Sequence, residues 1–221
     1  MVVIATKCYV EGDALERTLD SLRSLIANQV GDLDASVEIT IREDDFPAVA
    51  VSGPDATVAE NVLAEEWGSI DPTVTADDIA VGTLDSWSDD ELVLDAGKPV
   101  SISAENLGLG PGTADQIRTR FGLVQHMPLR YIPGDEPALA TSEQDRLYEW
   151  TRGNGRVNVN SATRAEVRAT VNRAGHAQDI VTVERLGLLE QSIICKPSTD
   201  PPGLLANIGE YLPSELLCVV P

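Results

Sequence analysis

The chain has 221 residues, of which 43% are hydrophobic and only 4% aromatic, and its formal net charge is -20 at pH 7. That length supports one or two domains with a core of Val, Leu, Ile and Ala. No apolar run reaches the ~18 residues of a helical membrane span, so a cytoplasmic protein with no membrane partner is expected.

In chain order, Met1 to Val10 reads as a strand rather than a signal peptide, and Asp13 is placed to cap a helix. Leu15, Leu19, Leu22, Leu25 and Ile26 give that helix its spacing and Gly31 its end. Val37, Ile39 and Ile41 alternate with polar residues, Glu43-Asp44-Asp45 makes a turn, and Val49 and Val51 resume the strand pattern. Pro54-Asp55 then opens a helix through Val58, Val62, Leu63 and Trp67.

Residues 77 to 133 change rhythm. Short strands are expected at Ile79 to Leu84, Glu91 to Leu94 and Pro99 to Ser103, separated by turns at Asp85-Ser86 and Ala96-Gly97, as suits a small barrel. A glycine-rich loop, Leu107 to Thr113, leads into a helix that Thr113 and Gln116 cap reciprocally, and Leu129 to Ile132 closes the module. Residues 134–149 are polar and proline-containing and read as a linker.

From residue 150 the first order returns. Val157 and Val159 make a strand, and Ser161 is expected to cap a helix with Val167 and Val171 on its inner face. Ile180 to Val183 and Ile193-Ile194 form two strands about Gly187, Pro201-Pro202-Gly203 opens a helix, and Leu216 to Val220 ends the chain as a strand. The fold class is therefore α+β: two ferredoxin-like (βαββα-type) modules, at 1–75 and 150–221, flank a small S1/OB-like β-barrel at 76–133. The N-terminal copy lacks or has replaced its last strand.

The whole chain resembles an archaeal family known as domain of unknown function 2110, in its haloarchaeal form. Glu105-Asn-Leu-Gly-Leu-Gly-Pro-Gly-Thr113, Arg120-Phe-Gly-Leu-Val-Gln-His-Met-Pro128 and Thr163-Arg-Ala-Glu-Val-Arg168 carry the likeness. It implies a role in information processing and lends no catalytic residues. The middle module is similar to S1-type RNA-binding barrels through Val81-Gly82, Leu92-Val-Leu-Asp95 and Gly97, but only Trp87 is available as an aromatic platform for bases. The C-terminal module has the order of an RRM, with Val157 and Val159 where stacking aromatics are needed.

The 36 acidic residues are dispersed, and only 3 Lys stand beside 13 Arg, which looks like solvation in a saline cytoplasm. Residues 1 to 100 hold 5 basic and 22 acidic residues, net -17, whereas residues 101 to 221 hold 11 and 14, net -3. Against that background, residues 150 to 176 carry Arg152, Arg156, Arg164, Arg168 and Arg173 with one acid, Glu166. Such a stretch meets an external anion or pairs internally with the acidic half, and both readings stand.

Other features carry less chemistry. The loop glycines Gly108, Gly110 and Gly112, with Thr113, make a phosphate-loop candidate whose neighbours are Arg118 and Arg120. No Lys-Ser or Lys-Thr follows, which excludes the usual nucleotide-binding loops. Asp200, Pro202 and Gly203 resemble the ligand turn of ACT domains, an alternative amino-acid-sensing site. Cys8, Cys195 and Cys218 stand singly, His126 and His176 have no nucleophile beside them, and the pairs Asp44-Asp45, Asp77-Asp78 and Asp89-Asp90 sit in loops. No catalytic residue, metal or cofactor is expected. The expected function is that of a non-enzymatic accessory protein binding RNA or a nucleoprotein complex of transcription or translation, with a protein partner on the acidic N-terminal module. The alternatives are an ACT-like sensing regulator and a protein-protein interaction module.

Overall fold

Leu22, Ile26 and Val30 recur at helical spacing and are the buried face of helix α1 (Gly12–Val30). This helix and α2 (Ala56–Trp67) pack on an antiparallel sheet of β1 (Val2–Val3), β2 (Ser36–Ile41) and β3 (Pro47–Ser52), ordered β1-β3-β2. The computed structural model describes residues 1–71, 73–76 and 78–221, so Asp77 of the Asp77-Asp78 pair lies outside the described residues. The alternation of Val37 and Ile39 is legible in the hairpin, where they face Val51 and Val49 across the strands.

Two expectations for this segment change. Only Val2–Val3 of the first ten residues joins a strand ladder, because Thr6 to Cys8 turn inward and are buried between modules. Glu11 holds the N-cap of α1 without a side-chain bond, and Asp13 lies in the first turn, where its charge meets the positive helix end. After α2 the chain returns beside β1 as a single bridge, Ile4 with Ser69, held by Ala5 N–H to Gly68 O (3.2 Å) and Ile70 N–H to Val3 O (2.8 Å). The last strand of the N-terminal unit is thus reduced to a bridge.

The central unit is a five-stranded antiparallel sheet curled into a half-barrel. Its strands are β4 (Ala80–Trp87), β5 (Glu91–Asp95), β6 (Pro99–Ser103), β7 (Pro128–Ile132) and β8 (Ala138–Leu139), in the order β6-β5-β4-β7-β8. Instead of turning at Asp85-Ser86, β4 runs through to Trp87. The register shifts between Leu84 and Ser86, a bulge that bends the strand without ending it. Helix α3 (Ala114–Phe121) closes one side with the capping box of Thr113 and Gln116.

The stretch 134–149, expected to be a linker, holds β8 and most of α4 (Thr141–Arg152). Leu147 and Trp150 of α4 enter the same core as Leu84, Leu92, Leu94 and Phe121. Burying those two side chains requires the helix to pack, however polar its outer face.

In the C-terminal unit, β9 (Arg156–Val159), β10 (Ile180–Arg185), β11 (Gln191–Cys195) and β12 (Leu216–Val219) form an antiparallel sheet ordered β10-β11-β9-β12. Helices α5 (Arg164–Arg173) and α6 (Pro201–Gly209) connect its strands. The N-cap of α5 is Thr163, boxed with Glu166, rather than Ser161. Ser161 has a positive φ of 57° and gives its N–H to Tyr9, so it is unavailable as a cap. Among the described residues no helix is long and apolar enough to cross a membrane.

Candidate functional site

The arginine stretch divides when the chain folds. Val167, Thr170 and Val171 seat α5 on its sheet, which turns Arg164, Arg168 and Arg173 to solvent, with Ala165 and Ala169 between them. Arg152, at the end of α4, is also exposed, its guanidinium carbon 5.6 Å from the Tyr148 ring. Among the described residues none of these four is in a salt bridge, and the neighbouring Glu166 is taken by Arg17 at 3.2 Å. Internal pairing with the acidic half does not account for them.

Arg156 and Arg118 belong to the interior. Arg156 on β9 donates to Ser192 Oγ at 3.3 Å, lies 3.7 Å from Glu184 and covers the Trp150 ring at 4.4 Å. Arg118 pairs with Glu215 and lies 3.5 Å above the Trp87 ring. Burial holds both guanidinium groups below their usual pKa range. Trp87, the one aromatic platform expected for bases, is therefore covered. Arg185 completes a pattern, 4.2 Å over Trp67, so each of the three tryptophans has an arginine on its face. A planar guanidinium stacks in this way and a lysine ammonium does not.

The groups flanking the glycine-rich loop are engaged within the protein. Gly108, Gly110 and Gly112 all have positive φ, which turns carbonyls inward, and Arg120 donates to Leu109 O (2.7 Å) and Pro111 O (3.1 Å). At the start of α3, Thr113 N–H bonds Gln116 Oε1, Gln116 N–H bonds Thr113 Oγ1 and Ala114 N–H bonds Asp89 O. Those donors are spent within the protein, and Arg120 serves the loop rather than a ligand.

Asp200 is the N-cap of α6 and accepts the Gly203 N–H at 2.9 Å. A Cβ on Gly203 would stand 2.8 Å from Asp200 Oδ2, and Pro202 takes its place in the first turn. Helix initiation thus uses all three residues of the ACT-like turn.

A polar junction formed by all three units was not read from the sequence. Tyr9 Oη donates to Glu190 Oε1 at 2.7 Å and accepts the Ser161 N–H at 2.8 Å, and its ring lies 4.0 Å from that of His126. Nearby, Lys7 pairs with Asp95 at 2.6 Å, and Thr6 Oγ1 accepts the Leu188 N–H at 2.7 Å. Glu190 is fully buried, and burial pushes its carboxyl up to about 8. Burial, followed by the charge of Lys7, lowers the pKa of His126. Among the described residues the non-glycine positions with positive φ are Asp45, His126 and Ser161. Asp45 holds the Cys8 N–H through its carbonyl, so all three border this junction. Backbone strain persists where surrounding structure over-determines it. The only sequence signal would have been Glu190 itself, a carboxylate within the run Leu186 to Ile194.

The cysteines are free, and burial pushes the thiols of Cys8 and Cys195 up to about 11. Among the described residues no group of three or more His, Cys, Asp or Glu side chains is placed to hold a metal. Fold and site define an α+β protein of three fused units with a cationic helix face. The DUF2110 N-terminal domain matches residues 1–73, the DUF2110 central domain 74–151 and the DUF2110 C-terminal domain 154–220, and the chain belongs to this family. The central match runs through α4, in keeping with its packing. No curated protein and no solved structure matches the chain.

Proposed function

We propose that this is a non-enzymatic accessory protein that binds RNA, alone or within a nucleoprotein complex of transcription or translation, through the outer face of α5. The observation that carries the reading is the exposure of Arg164, Arg168 and Arg173 without a salt-bridge partner among the described residues, in a chain of net charge -20. Ala165 and Ala169 between them leave room for a sugar-phosphate backbone to lie close to the helix. The contacts are to phosphates rather than base faces, because Val157 and Val159 are buried and Trp87 is covered by Arg118.

The strand order β10-β11-β9-β12 with α5 and α6 supports a ferredoxin-like reading of the C-terminal unit, and the curled central sheet an S1-like one. Dispersed acidity with little lysine supports a saline, cytoplasmic setting, where the Debye length is about 3 Å at 1 M salt. Recognition there rests on fitted guanidinium-phosphate forks rather than long-range attraction. The acidic N-terminal unit faces a protein partner or solvent. Binding of total cellular RNA, compared between the protein and a variant with Arg152, Arg164 and Arg168 changed to Ala, tests the reading. Loss of binding supports it, and unchanged or absent binding overturns it.

A further inference from the structure

The three units also enclose a cleft of about 620 Å³, within the usual range for small-molecule sites. Arg130 and Arg146 reach it from the central unit and Arg185 from the C-terminal unit. Each is anchored from behind. Arg130 and Arg146 share the carboxylate of fully buried Glu143, and Arg185 is held over Trp67 by Glu66 at 2.5 Å. These bonds use Nη1 of Arg130, Nε and Nη2 of Arg146 and Nη2 of Arg185. Arg130 Nε and Nη2, Arg146 Nη1, and Arg185 Nε and Nη1 have no hydrogen-bond partner among the described residues. Anchored guanidinium groups with unspent N–H donors on a cleft wall are pre-organised for an anion.

We infer that this cleft is a binding site for a nucleoside monophosphate, taken as the free nucleotide or as the 5′-phosphorylated end of an RNA chain. One guanidinium fork satisfies a carboxylate, whereas three arginines lining one cleft suit the three terminal oxygens and double charge of a phosphomonoester. Longer phosphate chains do not fit, because Glu65, Glu66, Asp71 and Asp78 share the lining and no metal-ligand group stands there among the described residues.

The rest of the lining provides for a nucleoside. Asp71 and Asp78 use one carboxylate oxygen each on Thr73 and Thr75, and these bonds hold both pKa values below the usual range. Their second oxygens have no hydrogen-bond partner among the described residues and are left as acceptors for ribose hydroxyls. Ile79, 59% exposed, stands with Val74 and Val81 as an apolar wall for the base.

Calorimetric titration of the full chain with AMP, CMP, GMP, UMP, adenosine and inorganic phosphate tests the inference. Monophosphates are expected to bind and adenosine not to. Arg130→Gln should weaken binding about ten-fold or more with an unchanged melting temperature, because Arg146 still serves Glu143, and Arg185→Gln should weaken it as much with a small fall in melting temperature, because it also uncovers the Trp67 ring. Ile79→Ser, an exposed change that folding tolerates, should weaken AMP and leave inorganic phosphate unaffected. Arg164→Ala should alter none of these, which separates this site from the proposed α5 surface. A 5′-phosphorylated oligoribonucleotide that binds where its 5′-hydroxyl counterpart does not identifies the chain end as the source, and binding of the monophosphates alone identifies the free nucleotide. Equal binding of adenosine and AMP, indifference to both arginine changes, or no heat with any ligand at millimolar concentration overturns the inference.

Discussion

Tyr9 and Glu190 stand 181 positions apart in the chain and share a 2.7 Å hydrogen bond, the tyrosine hydroxyl donating to a fully buried carboxyl. The same hydroxyl accepts the Ser161 N–H, so a single side chain of the N-terminal unit satisfies two groups of the C-terminal unit. Leu188 and Leu189, beside Glu190, are buried in the N-terminal hydrophobic cluster, and Val219 in the central one. The units are joined by shared cores as well as polar bonds. Each alone has the size at which a core is marginal.

Glu190 makes stability depend on pH in a defined sense. Its carboxyl is raised from 4.5 to about 8, so the folded protein keeps a proton that the unfolded chain has released. The stabilisation is complete below about 4.5 and is lost as pH rises to about 8, on the order of a few kcal/mol in all. The pKa of His126 is lowered from 6.5, and it acts in the opposite direction below that value. Between pH 6.5 and 8 the decline isolates Glu190. Melting temperatures should fall across that window in the native protein and stay level in Glu190→Gln. Parallel profiles for the two proteins would sink the assignment.

Gly187 is required by the same carboxyl. A Cβ there would stand 2.1 Å from Glu190 Oε2, 3.0 Å from Pro128 Cδ and 3.2 Å from Thr6 Oγ1, so the carboxyl would have to leave the position in which it accepts the Tyr9 hydroxyl. Gly187→Ala should therefore lower stability by about 1–3 kcal/mol in urea unfolding, with the denaturant slope unchanged. A loss below about 0.5 kcal/mol would show that the junction yields easily.

What the sequence made legible follows contact distance along the chain. Thr113 and Gln116 are three residues apart, and their capping box was readable because donor and acceptor sit in one turn. Ser161 was misread as a cap because the group that claims its N–H is Tyr9, 152 positions away. Arg156 looked like a surface cation because nothing local shows that β9 lies between β11 and β12. The acids and arginines of α4, apart from the buried Glu143, describe its outer face, and two apolar residues, Leu147 and Trp150, decide where it packs. The Glu190 junction, built from three units, leaves no local spacing to find.

Leu147 tests the place of α4 directly. It is fully buried among the central-unit side chains, so Leu147→Ala removes core contacts and leaves a cavity. A loss of about 2–5 kcal/mol is expected. A true linker residue would tolerate the change within about 0.5 kcal/mol, and urea midpoints separate the two cases.

The division of the arginine stretch predicts two different phenotypes. Arg164, Arg168 and Arg173 are exposed on α5, so changing any one to Ala should leave the melting temperature nearly unaltered. If each contacts a phosphate of single-stranded RNA, its removal should weaken binding on all sequences alike. The slope of log K against log salt should then fall by about 0.7 for each residue changed. Arg156→Ala should do the reverse, because that guanidinium covers Trp150 and bonds Ser192 inside the protein. Its loss leaves the Ser192 hydroxyl and a ring face unpartnered, lowering the melting temperature while the salt slope of the surviving folded protein stays constant. A salt slope that responds to Arg156 and ignores the three exposed arginines would move the RNA surface away from α5.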